Sequence, residues 1–184
     1  MLYIDMKNHF FVYTLIMNQK YLFWITGLSG SGKTSIAKLI HKSVIEKYGP
    51  TIEISGDELR NNFLFKNYDI ESRKIYAKSY AKFCKLLLKK NFNVIFSTVS
   101  LFHEVQKWNK KNIKGYYEIF INSEIKNIIK LNKKKIYKNK ENIVGVNLDA
   151  EFPKKPDFLI TNNFTKDIKI ISKQIEKNIF KNCK

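Results

Sequence analysis

Acidic residues are scarce in this chain of 184 residues: 16 Asp and Glu stand against 34 Lys and Arg, a formal charge of +18. An excess of that size is compatible with nucleic acid, a membrane surface or small polyanionic substrates. Nearly all of it is lysine spread among asparagine and isoleucine, as in the run 132–140. That pattern reads as compositional bias and a solvated surface rather than as a dedicated nucleic-acid face. Cysteine is nearly absent. Cys84 and Cys183 share no metal-ligand spacing with another Cys or His, so no disulfide framework is expected and a cytoplasmic location fits. Cys84 falls in an apolar helical pattern and reads as a small core residue. With three prolines and seven glycines the chain shows no flexible linker and no internal repeat, and its length suits one domain with a sizeable core. Long apolar runs are missing too. His9–Met17 is too short to span a bilayer and lacks a small-residue cleavage site, so neither a membrane partner nor a signal peptide is expected.

What is there begins with the few glycines. Gly27, Leu28, Ser29, Gly30, Ser31, Gly32, Lys33 and Thr34 fill every fixed position of the P-loop spacing G-x-x-x-x-G-K-[ST]. They follow an apolar run, Tyr21–Thr26, and open a helical pattern, the setting that a phosphate-binding loop requires. Glycines let successive main-chain N–H groups turn inward around a phosphate, and the helix N-terminus adds a favourable dipole. The spacing therefore predicts ATP bound across residues 27–35, Ser35 included, with Lys33 on the β/γ-phosphates and the Thr34 hydroxyl on Mg²⁺.

Downstream, apolar periodicity predicts a helix ended by Gly49-Pro50, a strand at 51–54, a polar segment to about Glu71, and a long helix from about Ser72 to Lys90. A strand at 92–99, a short helix at 103–111, a strand at 116–121, a basic helix from Ser123, a strand at 158–160 and a helix at 166–181 follow. Strands alternating with helices imply an α/β three-layer sandwich of the P-loop NTPase type, its mostly parallel sheet flanked by helices. Ligands in such sheets gather at the carboxyl ends of the strands. There, just past the second strand and expected beside the first, lie Asp57 and Arg60. Asp57 suits accepting a hydroxyl proton or holding Mg²⁺ through water. Arg60 suits a forked clamp on a substrate phosphate. The bland alternative for both is a surface ion pair at helical spacing.

These residues carry a resemblance. Trp24–Thr34 is similar to the W-x-T-G-L-S-G-[AS]-G-K-[ST] opening of adenylylsulfate kinases. Gly56-Asp57-x-x-Arg60 resembles their D-G-D-N-V-R, and Ser72-Arg73-Lys74 their D-R-K. Ser97–Ser100 sits where that family has A-F-I-S, Lys134–Lys138 where it has K-G-L-Y-K, and Asn142–Pro153 where it has G-F-T-G-I-D through E-x-P. The resemblance spans about residues 20–162. It implies a kinase domain over 21–184 after an N-terminal extension of residues 1–20, within which Met17 is an alternative start. It further implies a lid over about 133–153, transfer of the ATP γ-phosphoryl group to a nucleotide 3′-hydroxyl, and a homodimer. By the same likeness Lys33, Asp57 and Ser100 are the catalytic candidates and Thr34 and Asp57 the metal candidates. The acceptor would be held by Asp57, Arg60, Tyr68, Arg73, Ser100, Lys134 and Ile143. Two of these keep a plain alternative: Lys134 as one more solvated lysine, and Ser100 as a serine satisfied by backbone.

Departures from the family pattern bear on the acceptor. Its first Asp of D-G-D is Ser55, its Asn after D-R is Tyr76, and its lid Phe is Ile143. Losing an aromatic stacking face removes about 1 kcal/mol or more and reshapes the place where a purine would sit, whereas the ATP loop is intact. A pyrimidine nucleotide is therefore expected as acceptor, with adenylylsulfate as the alternative. A basic nucleic-acid-binding protein that uses ATP as a regulator is the rival of another class. It predicts steeply salt-dependent RNA or DNA binding, but the chain carries no aromatic single-strand platform, and no nucleic-acid partner is expected.

Overall fold

The computed structural model describes residues 19–131, 137 and 143–182. The expected extension falls outside them up to residue 18, as do Lys134 and most of the expected lid before Ile143. Five strands, β1 (Leu22–Thr26), β2 (Thr51–Ser55), β3 (Asn93–Thr98), β4 (Tyr116–Asn122) and β5 (Phe158–Thr161), form one sheet in the order β2-β3-β1-β4-β5. Every strand pairing is parallel. Six helices are described: α1 (Lys33–Tyr48), α2 (Gly56–Asn62), α3 (Ile70–Lys89), α4 (His103–Asn112), α5 (Ile125–Lys130) and α6 (Ile168–Asn182).

Alternation along the strands makes the three layers. Phe23 and Ile25 of β1 pack with Ile36 and Ile40 of α1 and Ile171 and Ile175 of α6 on one face. Leu22 and Trp24 pack with Ala77, Ala81 and Cys84 of α3 and Val105 of α4 on the other. Successive residues of a strand point to opposite faces, so a strand covered on both sides must be apolar throughout. Burial pushes the Cys84 thiol up in pKa, which makes it an inert core residue.

Two expectations need correction. The polar segment to Glu71 contains α2, because Ser55 and Glu58 form a capping box. Glu58 N donates to Ser55 Oγ (3.2 Å), and Ser55 N donates to Glu58 Oε2 (2.7 Å). The α3 helix also begins at Ile70, two residues early, where Asp69 accepts from Ser72 N (2.9 Å) as its N-cap. The second correction is topological. The β2 strand does not lie beside β1; β3 runs between them, so Asp57 reaches the phosphate loop only by passing over the end of β3. Gly56 makes that passage possible, since a Cβ there would sit 2.9 Å from Thr98 Oγ1.

Candidate active site

The strand ends are in register, Thr26 beside both Thr98 and Phe120, so the segments that leave them converge on one edge of the sheet. Two cavities open there. The first, of about 470 Å³, is lined by Ser29, Gly30, Gly32, Lys33, Thr34 and Ser35, and on its far side by Asn162, Phe164, Lys166 and Asp167. Gly32 caps α1 in the left-handed conformation (φ 97°), which a residue with a side chain adopts only under strain. Lys33 is 7% exposed and its Nζ donates to Leu28 O (2.7 Å). Thr34 Oγ1 lies 3.3 Å from Ser97 Oγ. Gly27, Leu28 and Ser31 are not among the lining residues. Leu28 turns its side chain into a cluster with Leu101, Phe120 and Ile128, which leaves only its main chain to face a phosphate.

The second cavity, of about 330 Å³, is lined by Asp57, Arg60, Tyr68, Arg73, Ser100 and Ile143, every described acceptor candidate, together with Tyr76, Tyr80 and Thr98. The Arg60 guanidinium lies over the Tyr68 ring at 4.5 Å and Arg73 stands 5.3 Å from it. Arg60 Nη1 donates to Asn67 O (3.2 Å) and Arg73 Nε to Tyr68 O (2.7 Å). Burial, then the neighbouring Arg60 charge, lowers the pKa of Arg73. Two guanidiniums converging on one cavity wall repel each other, and an anion between them relieves that cost. Tyr76, where the family pattern has Asn, stacks flat on Phe65 with centroids 4.2 Å apart and fills part of the wall. Ser100 Oγ is buried with no hydrogen-bond partner among the described residues, so the reading of a serine satisfied by backbone does not hold there.

Asp57 lines both cavities, as do Ser29, Thr98 and Val99. The oxygens of Thr34 and Asp57 on the loop cavity are hard donors of the kind Mg²⁺ takes one or two at a time beside phosphate and water. The site accordingly needs no cage of carboxylates, and no cluster of three His, Cys, Asp or Glu is found among the described residues.

Two supporting residues escaped the sequence reading. Asn162 Nδ2 donates to Ser31 O (2.9 Å) and Asn162 Oδ1 accepts from Phe164 N (3.1 Å), pinning the loop to the end of β5. Its signal was its place, the first residue after a strand. Tyr137, within the lid motif from which only Lys134 was chosen, donates its hydroxyl to Ser29 O (2.6 Å). Near the end of the segment expected to form a lid, Glu151 is tied to α4: it accepts from His103 N, and Gln106 Nε2 donates to Glu151 O (3.1 Å). Tyr137→Phe is expected to raise the KM for ATP roughly 2- to 10-fold, the worth of one neutral hydrogen bond. Initial-rate measurements against ATP check this, and an unchanged KM would show that the contact is idle.

Comparison with known proteins gives a consistent picture. The family model for adenylylsulphate kinase matches residues 19–161. The cytidine diphosphoramidate kinase of Campylobacter jejuni is 40% identical over 151 residues, covering 79% of this chain and 88% of that protein. The adenylyl-sulfate kinase of Pseudomonas aeruginosa is 29% identical over 146 residues, 74% of each chain. The APS kinase of Mycobacterium tuberculosis, solved in complex with AMPPNP and APS, shares the fold with a TM-score of 0.78 at 22% identity, covering 88% of this chain and 98% of that one.

Proposed function

The chain belongs to the adenylylsulphate kinase family, and from that premise we propose that it transfers the γ-phosphoryl group of ATP to the 3′-hydroxyl of cytidine diphosphoramidate, a step in capsule phosphoramidate biosynthesis. The observation that carries the reading is Asp57 on the wall shared by two cavities, one built on the phosphate loop and one edged by two arginines. Phosphoryl transfer needs that layout, because donor and acceptor oxygens must approach one phosphorus in line.

ATP occupies the loop cavity, with main-chain N–H groups and Lys33 spreading the charge of the β/γ-phosphates. Thr34 and Asp57 would hold Mg²⁺, which supplies further neutralisation of that charge when bound. The acceptor lies in the second cavity, its anionic end on Arg60 and Arg73 and its base toward Tyr68 and Ile143. The 3′-oxygen bonds to the γ-phosphorus as the bond to the β–γ bridging oxygen breaks. ADP leaves with that electron pair, and Asp57 takes the hydroxyl proton. By the family likeness, the lid expected over about 133–153, with Lys134 in it, would exclude the water that otherwise hydrolyses ATP.

Initial rates with ATP against cytidine diphosphoramidate and adenylylsulfate test the reading. A higher kcat/KM for the cytidine nucleotide is expected; preference for adenylylsulfate would instead make the chain an ordinary sulfate-activating kinase. As the family likeness implies, the working unit is a homodimer, so light scattering should report twice the 21.8 kDa chain mass. No helix among the described residues is long and apolar enough to cross a membrane, and the reading places the enzyme in the cytoplasm beside its nucleotide substrates.

A further inference from the structure

Tyr76 stands on α3 one turn beyond Arg73 and lines the acceptor cavity, yet the mechanism above gives it no role. It is half-buried, and its ring lies flat on Phe65, with centroids 4.2 Å apart and planes 2° from parallel. The Arg60 guanidinium stands over the same Tyr76 ring at 5.4 Å and over Tyr68 at 4.5 Å. Phe65 belongs to the turn that ends α2, where its N–H donates to Arg60 O (3.0 Å). The links close a circuit. Arg60 joins Phe65 through the main chain, Phe65 joins Tyr76 by stacking, and Tyr76 returns to the Arg60 side chain. Among the described residues Arg60 makes one side-chain hydrogen bond, from Nη1 to Asn67 O (3.2 Å), and its other N–H groups are left for a ligand.

A long arginine side chain samples many rotamers, and a clamp that must be frozen on binding loses affinity. Arg60 meets a second cost as well. Arg73 stands on the same wall, 5.3 Å from the Tyr68 ring, and like charges there push apart. The face of a tyrosine ring carries negative potential, so a guanidinium over it is attracted and part of its charge is offset. Two such faces can hold Arg60 beside Arg73 before an anion arrives. We propose that Tyr76 is a positioning residue for the acceptor: its ring, stiffened by Phe65, holds the Arg60 guanidinium in place to receive the acceptor's anionic group. The inference rests on the cytidine diphosphoramidate reading and deepens it.

The test measures initial rates against cytidine diphosphoramidate for wild type, Tyr76→Leu, Tyr76→Phe, Arg60→Gln and the variant that combines Tyr76→Leu with Arg60→Gln. Tyr76→Leu keeps apolar bulk but has no aromatic face, and should raise the acceptor KM about 3- to 10-fold, the scale of one cation–π contact. Its kcat and its KM for ATP should stay within about a factor of two of wild type. Tyr76→Phe keeps the face and should restore the wild-type acceptor KM. In the Arg60→Gln background, Tyr76→Leu should change kcat/KM for the acceptor by less than about a factor of two, because the residue it acts through is gone. A wild-type acceptor KM in Tyr76→Leu overturns the inference, and so does a Phe variant impaired like the Leu variant. Losses that simply multiply in the combined variant show an effect independent of Arg60, such as packing on Phe65, and overturn it too. The proposed reaction stands in each of these cases. Failure of the wild-type enzyme to phosphorylate cytidine diphosphoramidate overturns the proposed reaction, and this inference with it.

Discussion

Lys33→Ala is expected to lower kcat by about 100- to 1,000-fold or more, the scale found when one preorganised electrostatic group is removed from a transition state. Lys33 is buried, and its ammonium is held by the Leu28 carbonyl on the loop itself. It is thus positioned before any phosphate arrives, and binding costs little reorganisation. Charge spreads onto the γ-phosphoryl oxygens as the group departs, so the loss should fall on kcat as well as on the KM for ATP. Circular dichroism and Tm measured beside the kinetics separate this from unfolding, since the alanine also removes one of the two donors to the Leu28 carbonyl, Ser31 N being the other. A folded variant with wild-type turnover would remove the phosphate loop from the mechanism altogether.

The second large effect is expected at Asp57. Asp57→Asn keeps the shape of the side chain and removes its capacity to take a proton, and a loss of about 100- to 10,000-fold in kcat is expected, the range for a general base. The variant also discriminates between the two roles open to this carboxylate. If Asp57 acts on the acceptor proton, the rate falls while the Mg²⁺ concentration that gives half-maximal rate stays put. If it chiefly organises the metal, that concentration rises and excess Mg²⁺ restores part of the rate. Either result keeps Asp57 at the junction of the two cavities. Turnover within a factor of two of wild type, about the noise of a surface substitution, would strip it of both roles.

Much of this was legible in the chain because the information is local. The phosphate loop needs glycines at set positions between an apolar run and a helix, and those residues stand consecutively at 27–34. Helices and strands announced themselves by period, and α1 ends at Tyr48 where Gly49-Pro50 marked its stop. One local signal went unread. Ser55 and Glu58 spell a capping box, and α2 follows from it. The Ser55 hydroxyl starts the helix on which Asp57 and Arg60 ride.

Other features depend on contacts between residues far apart in sequence. Strand order has no local signature, so β2 was expected next to β1, whereas β3 separates them and Gly56 is needed to let α2 pass Thr98. Arg60 lying over Tyr68 depends on how α2 meets the turn before α3. The ties from Asn162 to Ser31 and from Tyr137 to Ser29 join residues more than a hundred positions apart.

The sequence alone determined the donor side of this protein, a phosphate loop between a buried strand and a helix, because main-chain amides and one lysine suffice and all lie within eight residues. Tertiary structure decided the second cavity, the one proposed for the acceptor, where Asp57, Arg60, Arg73, Tyr80 and Ser100 come from three separate segments. The physical reason is that the shape and charge of that cavity exist only after packing brings those segments to one edge of the sheet.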